Sequence, residues 1–275
     1  MRITLLVLAI LFMYQIQVYS QGNEPGEIVT DRPDQTESAD ILLPGYYQFE
    51  GGVNYERKSE DRIFFFGVST LTEQYTTVPA LLRIGVFENF ELRIATIYTY
   101  DTYKSYYPAG VISTFSTYTS YGFLPLELGT KIKLTDESKY IPKSAFLFTV
   151  NIPEIAGPAY DNNGSTAEFR VALSKTLSER FSVGMNLGAE YGGSNDNAVG
   201  LYTLSLAGEI YKNLGGFVEV YGNFADGSEP YHYVDGGLTY KILKNLQIDF
   251  SAGTLYSDEI SDFFIGGGIS VRLPR

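Results

Sequence analysis

Residues 181–191, FSVGMNLGAEY, carry an apolar or aromatic side chain at every odd position and a small or polar one at every even position. Successive side chains of a β-strand point to opposite faces, so this alternation predicts a strand with one apolar and one polar face. The same period recurs in residues 90–95 (FELRIA), 126–134 (LELGTKIKL) and 246–253 (LQIDFSAG). After Gly45 we find no convincing run with the i, i+3, i+4, i+7 spacing of an amphipathic helix. The chain is therefore predicted to be all-β.

About twelve such segments can be counted, near residues 46–57, 74–87, 90–103, 120–134, 143–153, 166–177, 180–192, 198–211, 214–225, 231–242, 245–255 and 263–273. Their connections alternate between tight turns, such as 88–89 and 212–213, and longer loops, above all 58–73 and 104–119. Short turns at one end, longer loops at the other and an even strand number are the plan of bacterial outer-membrane barrels. We expect a transmembrane antiparallel up-and-down β-barrel.

A soluble β-sandwich is the structural competitor, because it also alternates apolar and polar side chains. Its strands usually have about 5 to 6 residues, whereas strands that cross an outer membrane need about 9 to 11. The segments here fit the longer class, and aromatic residues crowd both of their ends, as in the two interfacial girdles of a membrane barrel. The sequence therefore favours the barrel.

Composition removes several classes of function. The 275 residues carry 20 Lys and Arg against 32 Asp and Glu, a net charge of -12 that repels nucleic acid. The absence of Cys excludes thiolate chemistry and Cys-ligated metal centres, and the single His excludes a His-rich metal site. No cofactor and no metal site are expected.

The N-terminus reads as a targeting signal. Residues 1–20 hold a charged start and a short apolar run, and Val18 and Ser20 permit cleavage before Gln21. A retained membrane anchor is the less favoured alternative, since a spanning helix needs roughly 20 predominantly apolar residues. We expect three parts: a signal peptide at 1–20, a periplasmic segment at 21–45 and a barrel at 46–275. The protein would lie in the outer membrane of a Gram-negative bacterium, in contact with its lipid.

Several motifs resemble one family of outer-membrane proteins. Residues 30–40 read TDRPDQTESAD and are followed by LPGYYQFEGG at 43–52, and the C-terminal region has FIGGGISVRL at 264–273. This arrangement is similar to the family named for the meta pathway of phenol degradation, whose members are often described as transporters. The resemblance implies a barrel distantly similar to channels for hydrophobic compounds. The chain departs from outer-membrane barrels generally in ending VRLPR, without a terminal aromatic residue.

Charged side chains on the polar face are the first candidate site. On the predicted strands they would point into the lumen, at Arg83, Glu91, Arg93, Glu127, Lys131, Glu168 and Arg170. One interpretation is a polar solute pathway with a graded field; the other is a narrow barrel that paired charges fill and stiffen. Because both signs are present, a strongly ion-selective ring is not expected.

The polar segment before the first strand is the second candidate. Its charges Asp31, Arg32, Asp34 and Glu37 suggest a plug, in which the carboxylates meet Arg83 or Arg93 and Arg32 meets a lumen glutamate. A solvated periplasmic tail is the alternative. The third candidate, Phe64, Phe65 and Phe66, forms an apolar cluster in a predicted loop, where it either captures an apolar solute or extends the hairpin onto a Tyr-rich neighbour.

No catalytic residue is predicted. His232 is the single base of its kind and faces lipid near the outer rim, but no Ser lies two residues from it on the same strand, so an acyl hydrolase is disfavoured. The predicted function is passive passage of small solutes, apolar or aromatic compounds among them. The alternative is a barrel that does not transport and serves as an envelope scaffold or surface-interaction protein. The sequence does not determine the substrate or the oligomeric state.

Overall fold

The fold is given by a computed structural model that describes residues 26–64, 67–109, 112–161, 164–193, 195–226, 230–256 and 260–274. The predicted signal peptide lies outside this range. Thirteen strand segments follow one another: β1 (Tyr46–Phe64), β2 (Gly67–Phe87), β3 (Phe90–Ala109), β4 (Ile112–Phe123), β5 (Leu126–Thr135), β6 (Lys143–Ile152), β7 (Thr166–Thr176), β8 (Phe181–Gly192), β9 (Asn195–Tyr211), β10 (Leu214–Ala225), β11 (Tyr231–Leu243), β12 (Leu246–Leu255) and β13 (Ile260–Pro274). A 3-10 turn at Pro153–Ile155 lies between β6 and β7.

The strands close into one antiparallel barrel. Apart from β4 and β5, each strand pairs with its neighbours in sequence, and β13 returns to β1, with Glu50 opposite Ser270. The segments β4 and β5 are two parts of a single wall strand, because both pair with β3. β4 pairs with residues 98–109 of β3, and β5 pairs with residues 90–95. Pro125, which has no N–H to donate, lies at the break between them. The prediction of a barrel of about twelve strands is confirmed.

Burial is inverted relative to a soluble protein. Inside the barrel Arg83 and Lys131 are 1% and 0% exposed, while on its outer face Val218 and Phe250 are 60% and 52% exposed. A β-sandwich in water would place these side chains the other way round. An apolar exterior around a polar interior is the arrangement of a transmembrane barrel, so the sandwich is rejected.

The prediction of two long loops at 58–73 and 104–119 was wrong. Pairing of β1 with β2 continues to Phe64 opposite Gly67, and pairing of β3 with β4 continues to Ala109 opposite Ile112. In the second region strand formation is favoured by a high content of Thr and Tyr, which prefer β-structure, as in residues 113–121 (STFSTYTSY). The hairpins therefore extend well past the strand ends that the sequence suggested.

The barrel has two different ends. We call the turn end the one that carries connections 88–89, 136–142, 177–180, 212–213 and 244–245, together with the ends of β1 and β13 nearest the chain termini. The opposite loop end carries the extended hairpins and the 3-10 turn. There the outer edge of β4 is covered by Gly157, whose N–H donates to the Phe123 carbonyl at 2.8 Å. Across the described ranges, no helix has the length and hydropathy needed to cross a bilayer.

Candidate functional site

Residues 26–45, which we call the lumen segment, run inside the barrel. At the turn end the Ile28 N–H donates to the Lys244 carbonyl at 2.9 Å, and deeper in the barrel the Leu42 N–H donates to Glu91 at 2.7 Å. Hydrogen bonds or ion pairs join the segment to every wall strand, through Gln48, Arg83, Arg93, Lys131, Lys143, Ser174, Asn186, Thr203, Glu219, Lys241, Asp249 and Arg272. The segment thus crosses the full width of the lumen.

Asp31 is the centre of this network. Its carboxylate lies 3.0 Å from Arg83 Nη1, 2.5 Å from Arg93 Nη1 and 2.9 Å from Lys131 Nζ. Its backbone N–H donates to Glu50 Oε2 at 3.0 Å. Burial by itself would raise the pKa of Asp31, but the three surrounding cations outweigh burial and hold that pKa well below its usual range.

Wall carboxylates complete the charge balance around Asp31. Glu91 accepts hydrogen bonds from Arg83 Nε and Nη2, both at 2.9 Å, and lies 3.3 Å from Arg93 Nη1. From the lumen segment, Glu37 accepts both of its bonds from Arg93 Nη2, at 2.8 and 2.9 Å. Buried charges are stable only when paired and hydrogen-bonded, and here each has several partners.

Arg32 occupies a slot in the wall formed by β1, β12 and β13. Its Nη2 lies 3.1 Å from Asp249 Oδ1, so its partner is an aspartate and not the glutamate that the sequence suggested. Gly52 and Gly268 face each other across β1 and β13, and a Cβ on either would lie 2.6 or 2.5 Å from the guanidinium of Arg32. These two glycines, which have no side chain, leave the space in the wall that the Arg32 guanidinium occupies.

The far side of the lumen segment is held by polar side chains of β8, β9 and β10. The Gln35 N–H donates to Glu219 Oε2 at 2.7 Å, and the Thr36 hydroxyl donates to Thr203 Oγ1 at 2.7 Å. Asn186 makes two bonds with the backbone of Glu37, accepting from its N–H at 2.7 Å and donating to its carbonyl at 3.0 Å. These bonds satisfy backbone groups that would otherwise be buried without partners.

Asp34 lies beside other carboxylates. Its burial, and then the negative charge of Glu219, raise its pKa well above the usual range, and Asp235 adds to the effect. The lumen segment therefore carries two acids with opposite tendencies: Asp31 is ionised down to low pH, whereas Asp34 takes up a proton readily.

The remaining predicted lumen residues lie toward the loop end. Glu168 pairs with Arg170 on its own strand, with a hydrogen bond of 2.5 Å from Nε. Both line a cavity of about 150 Å³ together with Glu37, Glu127 and Glu190. Lys131 turns to Asp31 instead of Glu127. Of the seven predicted charges, Arg83, Glu91, Arg93 and Lys131 belong to the network around Asp31, whereas Glu127, Glu168 and Arg170 line this cavity, which Arg93 also borders.

Two further predictions concern the loop end. Phe65 and Phe66 lie outside the described residues, and only the backbone of Phe64, at the tip of β1, is described. His232 Nδ1 lies 2.8 Å from the Tyr202 hydroxyl on an exposed surface. The described residues contain no cluster of His, Cys, Asp and Glu suited to a metal ion.

Sequence reasoning missed several partners of the lumen segment. Glu50, Asn186, Glu219 and Asp249 were not singled out, although alternation along β1, β8, β10 and β12 places all four on the lumen face. The signal that identifies them is this shared face. Their pairing with residues 31–37 depends on contacts between positions more than a hundred residues apart, Glu50 excepted.

Fold and site together define a transmembrane β-barrel whose N-terminal segment is folded into its own lumen. The chain belongs to the family described as "Putative MetA-pathway of phenol degradation", which matches residues 30–273 and so includes most of the lumen segment. The resemblance found in the sequence is confirmed. A comparison with curated protein sequences gives no match.

Solved structures share the fold. An outer-membrane channel from Pseudomonas putida F1 is 12% identical, with a TM-score of 0.59 over 89% of this chain and 100% of that chain. The transport unit of the autotransporter AIDA-I from Escherichia coli is 10% identical, with a TM-score of 0.53 over 95% of this chain and 97% of that chain. At these identities the likeness concerns the architecture of the barrel.

Proposed function

We propose that the protein is an outer-membrane channel for passive passage of small solutes, apolar or aromatic compounds among them, and that its lumen segment closes the pathway at rest. The observation that carries this proposal is the bonding of residues 26–45 to every strand of the wall. A cavity of about 450 Å³ lies on the turn side of the segment and another of about 380 Å³ at the loop end. The segment separates these two spaces.

Orientation follows from the barrel plan. Short turns and both termini belong on the periplasmic side of an outer-membrane barrel, so the turn end would face the periplasm and the loop end the exterior. Residues 1–20 would be removed as a signal peptide during export. We assign no catalytic role, and His232 with Tyr202 is interpreted as part of the barrel surface.

Single-channel conductance in a planar bilayer tests this function. Wild-type protein and a variant lacking residues 26–40 are refolded, and heat-modifiable migration on gels verifies the barrel in both. We expect rare, small openings for the wild type and stable, larger steps for the deletion. A verified deletion variant that stays silent would contradict the channel and favour an envelope scaffold, whereas identical large steps from both proteins would contradict closure by the segment.

The apolar cluster at 64–66 is proposed as an outer capture point for apolar solutes. A variant with Phe64→Ser and Phe66→Ser is expected to slow uptake of a dilute monoaromatic compound into proteoliposomes while leaving conductance steps unchanged. The matched control is Phe115→Ser, at an exposed aromatic residue on β4. Unchanged uptake in the double variant would exclude the capture role.

A further inference from the structure

Lys58 occupies an unusual enclosure in the outer half of the lumen. Its Nζ lies 5.9 Å from the ring centre of Tyr75 and 6.0 Å from that of Tyr233, within cation–π range of both. The same Nζ pairs with Glu56 Oε1 at 2.7 Å and lies 3.8 Å from Asp262 Oδ2. We call Glu56, Tyr75, Tyr233 and Asp262 the ammonium cage. Two aromatic faces and two carboxylates around a primary ammonium are the elements of an amine-binding site.

The cage holds more negative charge than Lys58 neutralises. Asp262 is only 4% exposed, and among the described residues neither of its carboxylate oxygens has a hydrogen-bond partner. At 3.8 Å the Lys58 ammonium is too distant to donate to it. A buried carboxylate without a donor is costly, and a further N–H group would satisfy it. The cage is therefore incompletely filled by its own lysine.

A cavity opens directly beyond the cage. It has a volume of about 380 Å³, and Lys58 and Tyr233 form part of its lining. Leu71, Leu255 and Ile260 supply an apolar wall, while Glu73 adds a further negative charge. Such a space suits a molecule with an apolar body and one cationic end. An anionic ligand is disfavoured because Lys58 is already paired and carboxylates outnumber it.

We propose that this outer cavity binds a small arylalkylamine, with its ring against the apolar wall and its ammonium displacing Lys58 Nζ from the cage. If the channel function holds, this site adds arylalkylamines to the solutes that we expect the channel to pass. Only the passage of the bound amine through the barrel rests on the proposed function. Binding itself is a property of the barrel and is measured without transport. Displaced, the flexible Lys58 side chain can extend its ammonium into the adjoining aqueous lumen.

Isothermal titration calorimetry on the refolded full-length barrel in detergent tests the site. Phenethylamine is the probe, phenethyl alcohol its neutral analogue and 3-phenylpropanoate its anionic analogue. We expect the amine to bind at least tenfold more tightly than either analogue at neutral pH. Equal affinity for the amine and the alcohol would overturn the proposal.

Two variants should change amine affinity in opposite directions, which general destabilisation of the barrel would not do. Asp262→Asn is expected to weaken amine binding at least tenfold, while Lys58→Met tightens it because the internal competitor is gone. Asp226→Asn, the same charge change at an exposed position between β10 and β11, serves as the control and leaves affinity unchanged. If one of these variants does not show heat-modifiable migration, Tyr233→Leu is used in its place. This substitution removes one aromatic face of the cage, and we expect it to weaken amine binding. Unchanged amine affinity in Asp262→Asn would overturn the site.

The site and the channel fail differently. Amine binding by a barrel whose segment-deleted form stays silent would overturn the channel function and leave the binding site standing. Clear conductance with no preference for the amine would overturn the site and leave the channel standing.

Discussion

Asp31 shows how one residue can decide whether the lumen is filled. Three wall cations converge on its carboxylate, and without it Lys131 has only Glu37, at 3.5 Å, as an acidic partner in the described structure. Removing one partner of a buried ion pair costs about 3 to 5 kcal/mol, because the remaining charge is left uncompensated. We expect Asp31→Asn to lower the free energy of unfolding by about 3 kcal/mol.

Equilibrium unfolding in urea, followed by tyrosine fluorescence in detergent, measures this change. Asp61→Asn, at an exposed site where the carboxylate accepts from the Thr70 hydroxyl, is the matched control and should shift the midpoint little. A loss of stability as small as that of the control would show that the cations around Asp31 find water or other partners.

Asp34 predicts a pH dependence of opposite sign to that of Asp31. The lowered pKa of Asp31 stabilises the docked segment above the ordinary carboxyl pKa of about 3.9, and this contribution is lost as pH falls through the folded-state value. The raised pKa of Asp34 means that docking is favoured when it is protonated and weakens as pH rises through its folded-state value. Glu219 and Asp235 face it and repel its charge.

Asp34→Asn should therefore tighten docking at pH 8, and this effect should shrink as pH is lowered toward the ordinary carboxyl pKa of about 3.9. Hydrogen–deuterium exchange of the amides at residues 35–37, compared between variant and wild type at each pH, reports this difference. Because the comparison is made at equal pH, the intrinsic pH dependence of exchange cancels. Faster exchange in the variant at pH 8 would show that Asp34 is a needed anion.

At the scale of elements, the slot for Arg32 predicts that a single methyl group disturbs the lumen segment. A Cβ at Gly268 would lie 2.6 Å from the backbone carbonyl oxygen of Gly51, which cannot rotate away, and 2.5 Å from Arg32 Nε, which would have to leave its slot. Gly267→Ala is the control, since a Cβ there would meet only the Asp249 carbonyl oxygen, at 3.3 Å. We expect Gly268→Ala to raise the frequency of channel openings and Gly267→Ala to leave it near the wild-type value.

The contact between the segment and β9 predicts a lock that can be switched. The hydroxyl oxygens of Thr36 and Thr203 lie 2.7 Å apart, and the chain has no Cys that would compete for a new disulfide. With Thr36→Cys and Thr203→Cys combined, oxidation should abolish openings and reduction should restore them. Each single variant, treated in the same way, is the control. Openings that continue in a fully oxidised sample would exclude displacement of residue 36 as the opening step.

The strands could be predicted because the alternation of apolar and polar residues is a local pattern. The lumen network could be predicted only in part. Apolar and polar side chains must alternate between lipid and lumen, which is why β10 was predicted at its observed bounds, 214–225. The hairpin extensions were missed because alternation fades there; residues 56–61 (ERKSED) of β1, for example, place polar side chains on both faces. Proximity of Asp31 to Lys131, a hundred residues later, depends on how the barrel closes and leaves no periodic signal.

At the scale of the whole molecule, charge is unevenly distributed along the lumen. Around Asp31, cations and carboxylates are closely matched. Toward the loop end, lumen-facing carboxylates outnumber the cations Lys58 and Arg170; the acids there include Glu56, Glu60, Glu73, Asp101, Glu127, Glu168, Glu190 and Asp262. A pathway through the open barrel would pass this acidic region.

An open barrel should consequently select cations. We expect the variant lacking residues 26–40 to show a reversal potential of cation-selective sign in a potassium chloride gradient. The selectivity should weaken as pH is lowered toward 4, where carboxylates approach their ordinary pKa values of about 3.9 to 4.3. It should also weaken at high salt, because screening shortens the reach of the lumen charges.

Replacing Glu127 and Glu190 by Gln in that variant should reduce the reversal potential, with Asp61→Asn and Asp226→Asn together as the control of equal charge. Anion selectivity would mean that the freed Arg83, Arg93 and Lys131 dominate the pathway and that its narrowest part lies at the turn end.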